Sequence, residues 1–299
     1  MSSRSGRRCV LLVMGTLTAS PSRQVAPPEI RLGLDSLPPF PLVALRALNV
    51  LSGTDTSLRE LCDLIRPDPV FAAEVLRIAN SPLVAFSKEI TSVLQASMLL
   101  GFRRLRRLVI TLGYRSYMDK SFTRAQQACW RHSFASAMIA ERIARWNSID
   151  RDFAYTAGIL HDIGRVALAT INPQIYADLI DRVAASPACD VLQCERESFG
   201  IDHCCAGRLL VTTWKLPEEF IEITSHHHEP LTHQEDATEV VRLSCMLADA
   251  LGFPAAPHSS IRSFEEVLAE FPENVRKHFP GNEALAAEIA NEISVIEAA

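Results

Sequence analysis

The chain carries histidines and carboxylates at the predicted ends of otherwise apolar helices. His132 lies near the start of a long helical stretch, His161 and Asp162 follow an apolar helix, and Asp249 has apolar neighbours on both sides. Imidazole nitrogens suit Zn, Fe, Mn or Ni, and an aspartate can bridge two ions and balance their charge. For any one of these residues alone, a hydrogen-bonded structural role is the stronger interpretation. The prediction of a mixed nitrogen and oxygen metal site therefore rests on the set.

Further histidines and cysteines lie close to these positions in the sequence. His203 begins the helix after Gly200, and three consecutive histidines, 226–228, end another helix. Cys129 precedes His132 by three residues, a spacing that could activate a thiolate on a helix, but a buried cysteine usually acts as a small apolar residue. The sequence contains no G-x-x-x-x-G-K-[ST], G-x-G-x-x-G or G-x-S-x-G motif. This argues against a P-loop NTPase, a Rossmann enzyme and an α/β-hydrolase.

Composition limits the size and the partners of the protein. The 299 residues are 48% hydrophobic and carry a formal net charge of −5. At roughly 100–200 residues per domain, this length indicates two units. The negative net charge does not favour nucleic acid or anionic lipid as a partner.

The N-terminus and the cysteines bear on the cellular location. The apolar stretch at 9–14 is far shorter than the about 20 residues needed to cross a bilayer, so we expect no membrane association. Preceding arginines make it similar to a short secretory signal, but we interpret residues 1–36 as a flexible extension. The eight cysteines are scattered and none lies in a C-x-x-C pair, which predicts reduced thiols and a cytoplasmic protein.

From Pro38 onward the apolar spacing predicts an all-α protein. Ser57–Glu60, Asp68–Pro69 and Ser263–Glu266 have the spacing of helix N-termini. Alternating apolar runs with hairpin turns are rare, so strands should be nearly absent. We expect helical segments near 124–147, 151–163, 173–186, 188–199, 203–214, 217–228, 236–252 and 283–296.

Four arginines at 103, 104, 106 and 107 could contact phosphates and so suggest nucleic acid binding. Leu105, Leu108 and Val109 take the other face of the same helix, however, so the arginines are better interpreted as a solvated face. We expect the N-terminal helices to pack on the second unit and leave a cleft, a common place for ligands. The sequence indicates no polar set that would identify a ligand there.

The sequence resembles the HDOD (HD-related output domain) family of bacterial signalling proteins, a branch of the HD superfamily. The order His132, His161-Asp162 and Asp249 is similar to the H…HD…D signature of that superfamily. The resemblance runs from about residue 36 to 255. Further matching stretches are Leu37–Pro41, Ile65–Pro69, Leu76–Ser81, Leu99–Leu105, Trp130–Ser133, Ala157–Gly164, Phe199–His203, Trp214–Pro217 and His227–Pro230.

The resemblance implies an N-terminal helical subdomain, 37–120, packed on an HD-type helical bundle, 121–255, with a C-terminal helical appendage, 256–299. It also implies one of two states for the polar residues: they bind a divalent metal, which could be Fe, Mn, Zn, Ni or Mg, or they are structural and no cofactor is bound. The metal ligands it implies are His132, His161, Asp162, His203, His227, His228 and Asp249.

Two departures from the related HD-GYP phosphodiesterases, and one from some bimetallic members, weaken the implied catalysis. Arg165 stands where a lysine follows the HD-x-G motif, and a guanidinium does not place its charge as an ammonium does. The Gly-Tyr-Pro element is missing after His228, and Ala128 stands where some bimetallic members carry a glutamate ligand.

The sequence leaves two candidate functions, which belong to different classes of protein. The favoured one is a cytoplasmic regulatory module that acts on a signalling protein partner. A homo-oligomer is compatible with this function, and nucleic acid and membrane are disfavoured as partners. The alternative is a metal-dependent phosphohydrolase in which Asp162 and Arg165 are the catalytic residues and Arg165 holds phosphate.

Overall fold

The computed structural model describes residues 25–49, 55–82, 84, 89–117, 123–186, 189–229, 236–257 and 262–297. These residues form helices joined by turns, and no strand occurs among them. The prediction of an all-α protein is confirmed. Within these residues, no helix combines the length and the apolar character needed to cross a membrane.

The described part of the chain contains sixteen helices. The N-terminal half holds α1 (Pro28–Ser36), α2 (Leu42–Asn49), α3 (Asp55–Ile65), α4 (Pro69–Ala79) and α5 (Val93–Tyr117). The bundle consists of α6 (Arg124–Ala144), α7 (Arg151–Leu160), α8 (Ile163–Ile171), α9 (Pro173–Ala185), α10 (Val191–Phe199), α11 (His203–Thr213), α12 (Glu218–His226) and α13 (Ala237–Ala250). The C-terminal segment holds α14 (Phe264–Leu268), α15 (Glu273–Arg276) and α16 (Asn282–Glu297).

Local sequence signals set the helix boundaries of the N-terminal half. Asp68 caps α4 by accepting hydrogen bonds of 3.0 and 3.1 Å from two backbone N–H groups. Pro69 fills the first turn, where a missing N–H costs little. Gly101 breaks α5 with a φ of 73°, a left-handed value that glycine adopts readily. The helix that carries the arginines at 103, 104, 106 and 107 is therefore the second half of α5.

Helix α6 is the central helix of the bundle. A capping box of Thr123 and Gln126 satisfies free N–H groups at its start. Its large apolar side chains, among them Trp130 and Phe134, are almost fully buried, and the helix packs on α7 and α13. Because α6 runs through the middle of the bundle, it holds His132 in the interior.

Helix α16 packs on both halves of the protein. Arg77 and Arg115 of the N-terminal half donate hydrogen bonds to backbone carbonyls near its C-terminal end. Arg131 of α6 donates two hydrogen bonds, of 2.8 and 2.7 Å, to the carboxylate of Glu297. The Ser263 capping box predicted for α14 is confirmed. The C-terminal segment is thus tied to the N-terminal half and to the bundle.

Two expectations for the N-terminal half are wrong. Residues 28–36 were expected to be flexible but form α1, in which Gly33 lies so close to Ile171 of α8 that a Cβ would come within 2.7 Å of it. Ser57 was expected to cap a helix, but α3 already begins at Asp55. Residues 1–24 of the expected extension lie outside the described part of the chain.

The arginine cluster on α5 is only partly solvated, contrary to expectation. Arg103 and Arg104 are exposed. Arg106 is buried and donates hydrogen bonds of 2.9 and 3.0 Å to two backbone carbonyls of α2. Arg107 pairs with Glu141 at 2.5 Å. Two of the four guanidinium groups therefore hold α5 to its neighbours.

The cysteines follow the expectation with one exception. Cys189 and Cys194 form a disulfide, so the prediction of reduced thiols is wrong for this pair. Burial raises the pKa of the Cys129 thiol to about 12, which supports its interpretation as a core residue and not a nucleophile. Cys9 lies outside the described residues. Among the described residues, the buried cysteines outside this disulfide are Cys62, Cys129, Cys204, Cys205 and Cys245.

Gly164 allows α8 and α11 to approach closely. A Cβ at this position would lie 1.9 Å from the carbonyl oxygen of His203 and 2.6 Å from the backbone nitrogen of Gly207. Backbone atoms within two packed helices cannot move aside as a flexible side chain can. The contact brings His203 at the start of α11 next to Asp162, which immediately precedes α8.

We expect Gly164→Ala to lower the free energy of unfolding by about 3 kcal/mol, since overpacking typically costs roughly 1–3 kcal/mol and rigid backbone leaves little room to relax. Urea unfolding followed by circular dichroism measures the change. The control is Gly281→Ala, because Gly281 has no atom within 4 Å of the added Cβ, and it should shift stability by less than about 0.5 kcal/mol. A wild-type urea midpoint for Gly164→Ala would show that α8 and α11 do not need this contact.

Candidate metal centre

Five site residues predicted from the sequence come together inside the bundle. His132 lies within α6, His161 and Asp162 link α7 to α8, His203 is the first residue of α11, and His227 directly follows α12. Each of these five residues is 1% exposed or less. The histidine and aspartate side chains from four parts of the chain thus share one buried site.

Each of the four imidazole rings is oriented by an acceptor at Nδ1. The Nδ1 atoms of His132 and His161 lie 2.8 and 2.7 Å from backbone carbonyl oxygens. That of His203 lies 2.6 Å from a carboxylate oxygen of Glu195, and that of His227 lies 3.2 Å from two carbonyls of α12. Since these partners can only accept, Nδ1 carries the proton and Nε2 keeps its lone pair. Metal-binding histidines are held in this way in proteins.

The four Nε2 atoms converge on the carboxylate of Asp162. Those of His203 and His227 lie 3.2 and 3.3 Å from Oδ1, and those of His132 and His161 both lie 3.7 Å from Oδ2. Two imidazole nitrogens therefore face each oxygen of the carboxylate.

Three of these buried atoms have no hydrogen-bond partner. They are Nε2 of His161, Oδ1 of Asp162 and Nε2 of His227, and they lie within 4.8 Å of one another. A buried polar atom without a partner costs about 1–3 kcal/mol. A divalent cation accepts lone pairs from imidazole and carboxylate at once, so the donor set fits a metal.

The charge states of the site also suit a metal. Burial lowers the pKa of His161 to about 3 and lowers that of His227 below its usual value, which keeps both imidazoles neutral at pH 7. Burial alone would raise the pKa of Asp162, but Arg165 and the neighbouring imidazoles hold it well below the usual range. The centre of the site is therefore a buried carboxylate with neutral nitrogen donors at His161 and His227.

Cys245 is a neighbour of this cluster that sequence reasoning missed. Its Sγ lies 3.3 Å from Nε2 of His132, and it lies within metal-binding distance of His132 and His161 together. Burial lowers the pKa of His132, but Cys245 and Asp249 outweigh this and raise it well above the usual value. The signal was available in the sequence, because Cys245 stands one helical turn before Asp249.

Asp249 reaches the cluster from the other side of His132. Its Oδ1 lies 3.2 Å from Nδ1 of His132, the nitrogen that faces away from Asp162. A carboxylate in this position orients the imidazole and increases its basicity. The arrangement thus places Asp249 beside a ligand candidate, at the nitrogen that would not face the metal.

Arg165 is buried between two carboxylates. Its Nε donates to Asp162 at 3.0 Å and its Nη1 donates to Glu195 at 3.2 Å. Glu195 itself is fully buried and also accepts hydrogen bonds from the backbone N–H and the imidazole of His203. Sequence reasoning missed Glu195, which stands eight residues before His203 with no motif to mark it.

The two remaining histidines of the 226–228 run are placed differently. His228 is exposed at the rim, with Nε2 3.0 Å from Nε2 of His203. His226 lies outside the cluster and faces Glu222 and Glu229 at 3.8 and 3.2 Å. His228 therefore joins the site and His226 does not.

A cavity of about 300 Å³ opens beside the cluster. Its wall includes the disulfide residue Cys189. The polar side chains of the cluster that reach it are those of His132, Asp162, Arg165, His228, Cys245 and Asp249.

The helical bundle with its buried histidine and aspartate cluster is the arrangement implied by the HD signature. The family model described as "HDOD domain" matches residues 37–230, and this chain belongs to that family. A crystal structure of an HDOD domain protein of unknown function from Geobacter sulfurreducens has a TM-score of 0.70 and 26% identity. It is matched over 90% of this chain and 94% of that one.

Two further solved structures share the fold. One, from Marinobacter aquaeolei VT8, is provisionally described as a signal transduction protein, with a TM-score of 0.71, 20% identity, and 90% of this chain and 65% of that chain covered. The other, from Shewanella amazonensis SB2B, is provisionally described as a phosphohydrolase, with a TM-score of 0.63, 22% identity, and coverage of 90% and 96%. Sequence identity at this level shows a shared fold and nothing further.

Curated relatives match a part of their own length. A ribonuclease Y of Thermus thermophilus is 27% identical over 80% of this chain and 36% of that protein. An uncharacterised protein of Treponema pallidum is 22% identical over 65% of this chain and 38% of that protein. The chain thus spans little more than a third of the length of these relatives.

We expect Glu195→Ala to lower the free energy of unfolding by about 3–5 kcal/mol, because it removes a partner of the buried Arg165 and leaves that charge incompletely compensated. Urea unfolding measures the change. Glu197→Ala on the same helix is the matched control, since Glu197 is exposed and should change stability by less than about 0.5 kcal/mol. A loss below about 1 kcal/mol for Glu195→Ala would contradict a supporting role for Glu195.

Proposed function

We propose that this chain is a metal-binding regulatory module of bacterial signalling that acts through a protein partner. The metal-binding part rests on one observation. Four buried imidazoles are held at Nδ1 by acceptors and direct their Nε2 atoms to one carboxylate, Asp162.

One or two divalent ions fit this donor set. His132 and His161 face one oxygen of Asp162, and His203 and His227 face the other, so the carboxylate could be shared between two positions. Imidazole donors favour Fe, Mn, Zn or Ni over Mg, and a thiolate from Cys245 would favour a softer ion further. When bound, such an ion would supply the positive charge that links these side chains and stabilises the bundle.

A regulatory role is supported by the state of Arg165. Its guanidinium is buried and already bonded to Asp162 and Glu195, so it is not free to hold a substrate phosphate. The sequence also lacks the Gly-Tyr-Pro element of the related phosphodiesterases. Output modules without hydrolysis are what the resemblance to the family implies, and one solved relative is described as a signal transduction protein.

The partner is proposed to be a signalling protein in the cytosol. Five of the seven described cysteines are buried and lie outside the Cys189–Cys194 disulfide, which is typical of a reducing compartment. The net charge of −5 disfavours nucleic acid as the partner, and a homo-oligomer is compatible with the proposal.

A second candidate function is a metal-dependent phosphohydrolase. The cavity of about 300 Å³ favours it, because that cavity gives a small substrate access to Asp162 and His132. In this case Asp162 would help to hold the metal that activates a water, and Arg165 would have to exchange a carboxylate partner for the substrate phosphate. A solved relative described as a phosphohydrolase is in line with this candidate at the level of the fold.

Metal content tests the proposed site. Protein loaded with Mn²⁺, Fe²⁺ or Zn²⁺ and then desalted should retain one or two ions per chain by elemental analysis. His161→Ala and Asp162→Asn should bind the metal at least about tenfold more weakly, since each removes a donor. His226→Ala is the control and should bind like the wild type, because His226 lies outside the cluster.

Thermal unfolding provides a second readout of the same site. An ion at 100 times its dissociation constant should stabilise the wild-type fold by about 2.7 kcal/mol, and a chelator should remove this gain. Absence of both bound metal and a chelator-sensitive shift would refute the metal-binding part of the proposal.

Hydrolysis of bis(4-nitrophenyl) phosphate separates the two candidate functions. For the regulatory module we expect no turnover above the rate of free metal, with Mn²⁺, Fe²⁺ or Zn²⁺ present. The measurement is release of 4-nitrophenolate by absorbance, with Asp162→Asn as the matched variant. Turnover that needs metal and disappears in Asp162→Asn would favour the phosphohydrolase.

A further inference from the structure

A second groove, of about 780 Å³, lies between the N-terminal half, the bundle and α16. It is distinct from the metal centre, since its wall shares no residue with the cavity beside the histidine cluster. Leu100, Phe102 and Met138 give it an apolar surface. The basic side chains in its wall are Arg103, Arg104, Arg107, Arg142, Arg145 and Arg151.

The groove is positively charged in an acidic protein. Its six arginines face three glutamates, Glu141, Glu288 and Glu292, which leaves a local charge of +3, whereas the whole chain carries −5. Walls of low dielectric focus such a field and raise the local concentration of anions. The groove is therefore suited to an anionic ligand even though the surface as a whole is not.

The carboxylates compensate these arginines unevenly. Glu141 pairs with Arg107 and with Arg151, both at 2.5 Å. Among the residues that the structure describes, Arg103 and Arg104 have no carboxylate oxygen within 4.0 Å, and both are exposed. Two adjacent arginines of the groove are thus available to an anion.

Arg145 shows that the cations also repel one another. It lies 3.8 Å from Glu141, which already serves Arg107 and Arg151 at shorter distance. Burial lowers the pKa of Arg145, and the neighbouring arginines lower it further. A bound anion would relieve this repulsion.

A smaller cavity of about 150 Å³ adjoins the groove and shares Leu100, Arg104, Arg107 and Glu292 with it. Its other walls are mainly apolar, and they hold one polar pair, the hydroxyls of Thr111 and Tyr155 at 2.7 Å. Small-molecule sites combine an apolar lining with a few placed polar groups in this way. The two spaces together suit a ligand with a charged end and an organic end.

We propose that the arginine groove binds a small organic diphosphate, of the size of a nucleoside diphosphate. Arg103 and Arg104 donate charge-assisted hydrogen bonds to the phosphate oxygens, which guanidinium groups match in geometry. The organic group lies towards the smaller cavity with the Thr111 and Tyr155 hydroxyls. Since α6 and α7 run from this groove to the histidine cluster, the groove is placed to act as an effector site, and its binding does not depend on the metal.

Isothermal titration calorimetry of the full chain with ADP and with inorganic pyrophosphate, both in the presence of a chelator, tests the proposal. Both probes should bind, and ADP should bind more tightly because its nucleoside uses the smaller cavity. Arg103→Gln combined with Arg104→Gln should weaken ADP binding by about tenfold or more. The matched control is Arg31→Gln combined with Arg276→Gln, which removes two exposed arginines elsewhere and should leave the affinity within about twofold.

A substitution that removes a negative charge, and not a positive one, provides a second test. Glu292→Gln removes a negative charge from the groove and should tighten ADP binding by about threefold or more, since its charge opposes the phosphates. The matched control is Glu283→Gln. Glu283 lies on the same helix outside the groove and is exposed, so this substitution should leave the affinity for ADP unchanged.

Three results would overturn the proposal. One is that neither probe binds at millimolar concentration. Another is that the arginine double variant binds ADP like the wild type while Asp162→Asn does not, which would place the ligand at the metal centre. The last is that a single-stranded RNA of twelve nucleotides displaces ADP and binds far more tightly, which would show the groove to be part of a nucleic acid surface. None of these results depends on whether the histidine cluster holds a metal.

Discussion

The Asp162 carboxylate is 1% exposed, and the way in which its charge is compensated organises the centre of the molecule. Taking a carboxylate out of water costs several kcal/mol unless partners replace the solvent. Arg165 supplies one such partner, and the four imidazoles supply nitrogen atoms at 3.2 to 3.7 Å. Burial keeps the imidazoles of His161 and His227 neutral, and the Arg165 guanidinium is shared between two carboxylates, Asp162 and Glu195. This shortage of positive charge is the physical basis for inferring a cation.

Backbone packing makes this arrangement rigid. The absence of a side chain at Gly164 lets α8 meet α11, and the same contact carries His203 to Asp162. Backbone carbonyls then fix the rings of His132, His161 and His227, so three of the four rings depend on main-chain atoms that no side-chain substitution can remove. The orientation of these three rings therefore follows from helix geometry.

Much of the fold was predictable because its signals are local. Apolar spacing and caps such as Asp68 mark helices by interactions within a few residues. The signals for α1 and for the buried Arg106 are not local, since α1 is stabilised by contact with α8 and Arg106 by carbonyls of α2. In the site, the motif spacing identified the histidines and Asp162. The spacing of Cys245 from Asp249 was also visible in the sequence, whereas the role of Glu195 and the position of Asp249 depend on which helices lie side by side, and a single sequence does not reveal that.

Helix α16 has a mechanical consequence for the whole molecule. Its last turn receives hydrogen bonds from Arg77 and Arg115 on one half and from Arg131 on the other. A hinge movement between the halves would have to break several of these bonds at the same time. The C-terminal helix therefore couples the two halves mechanically.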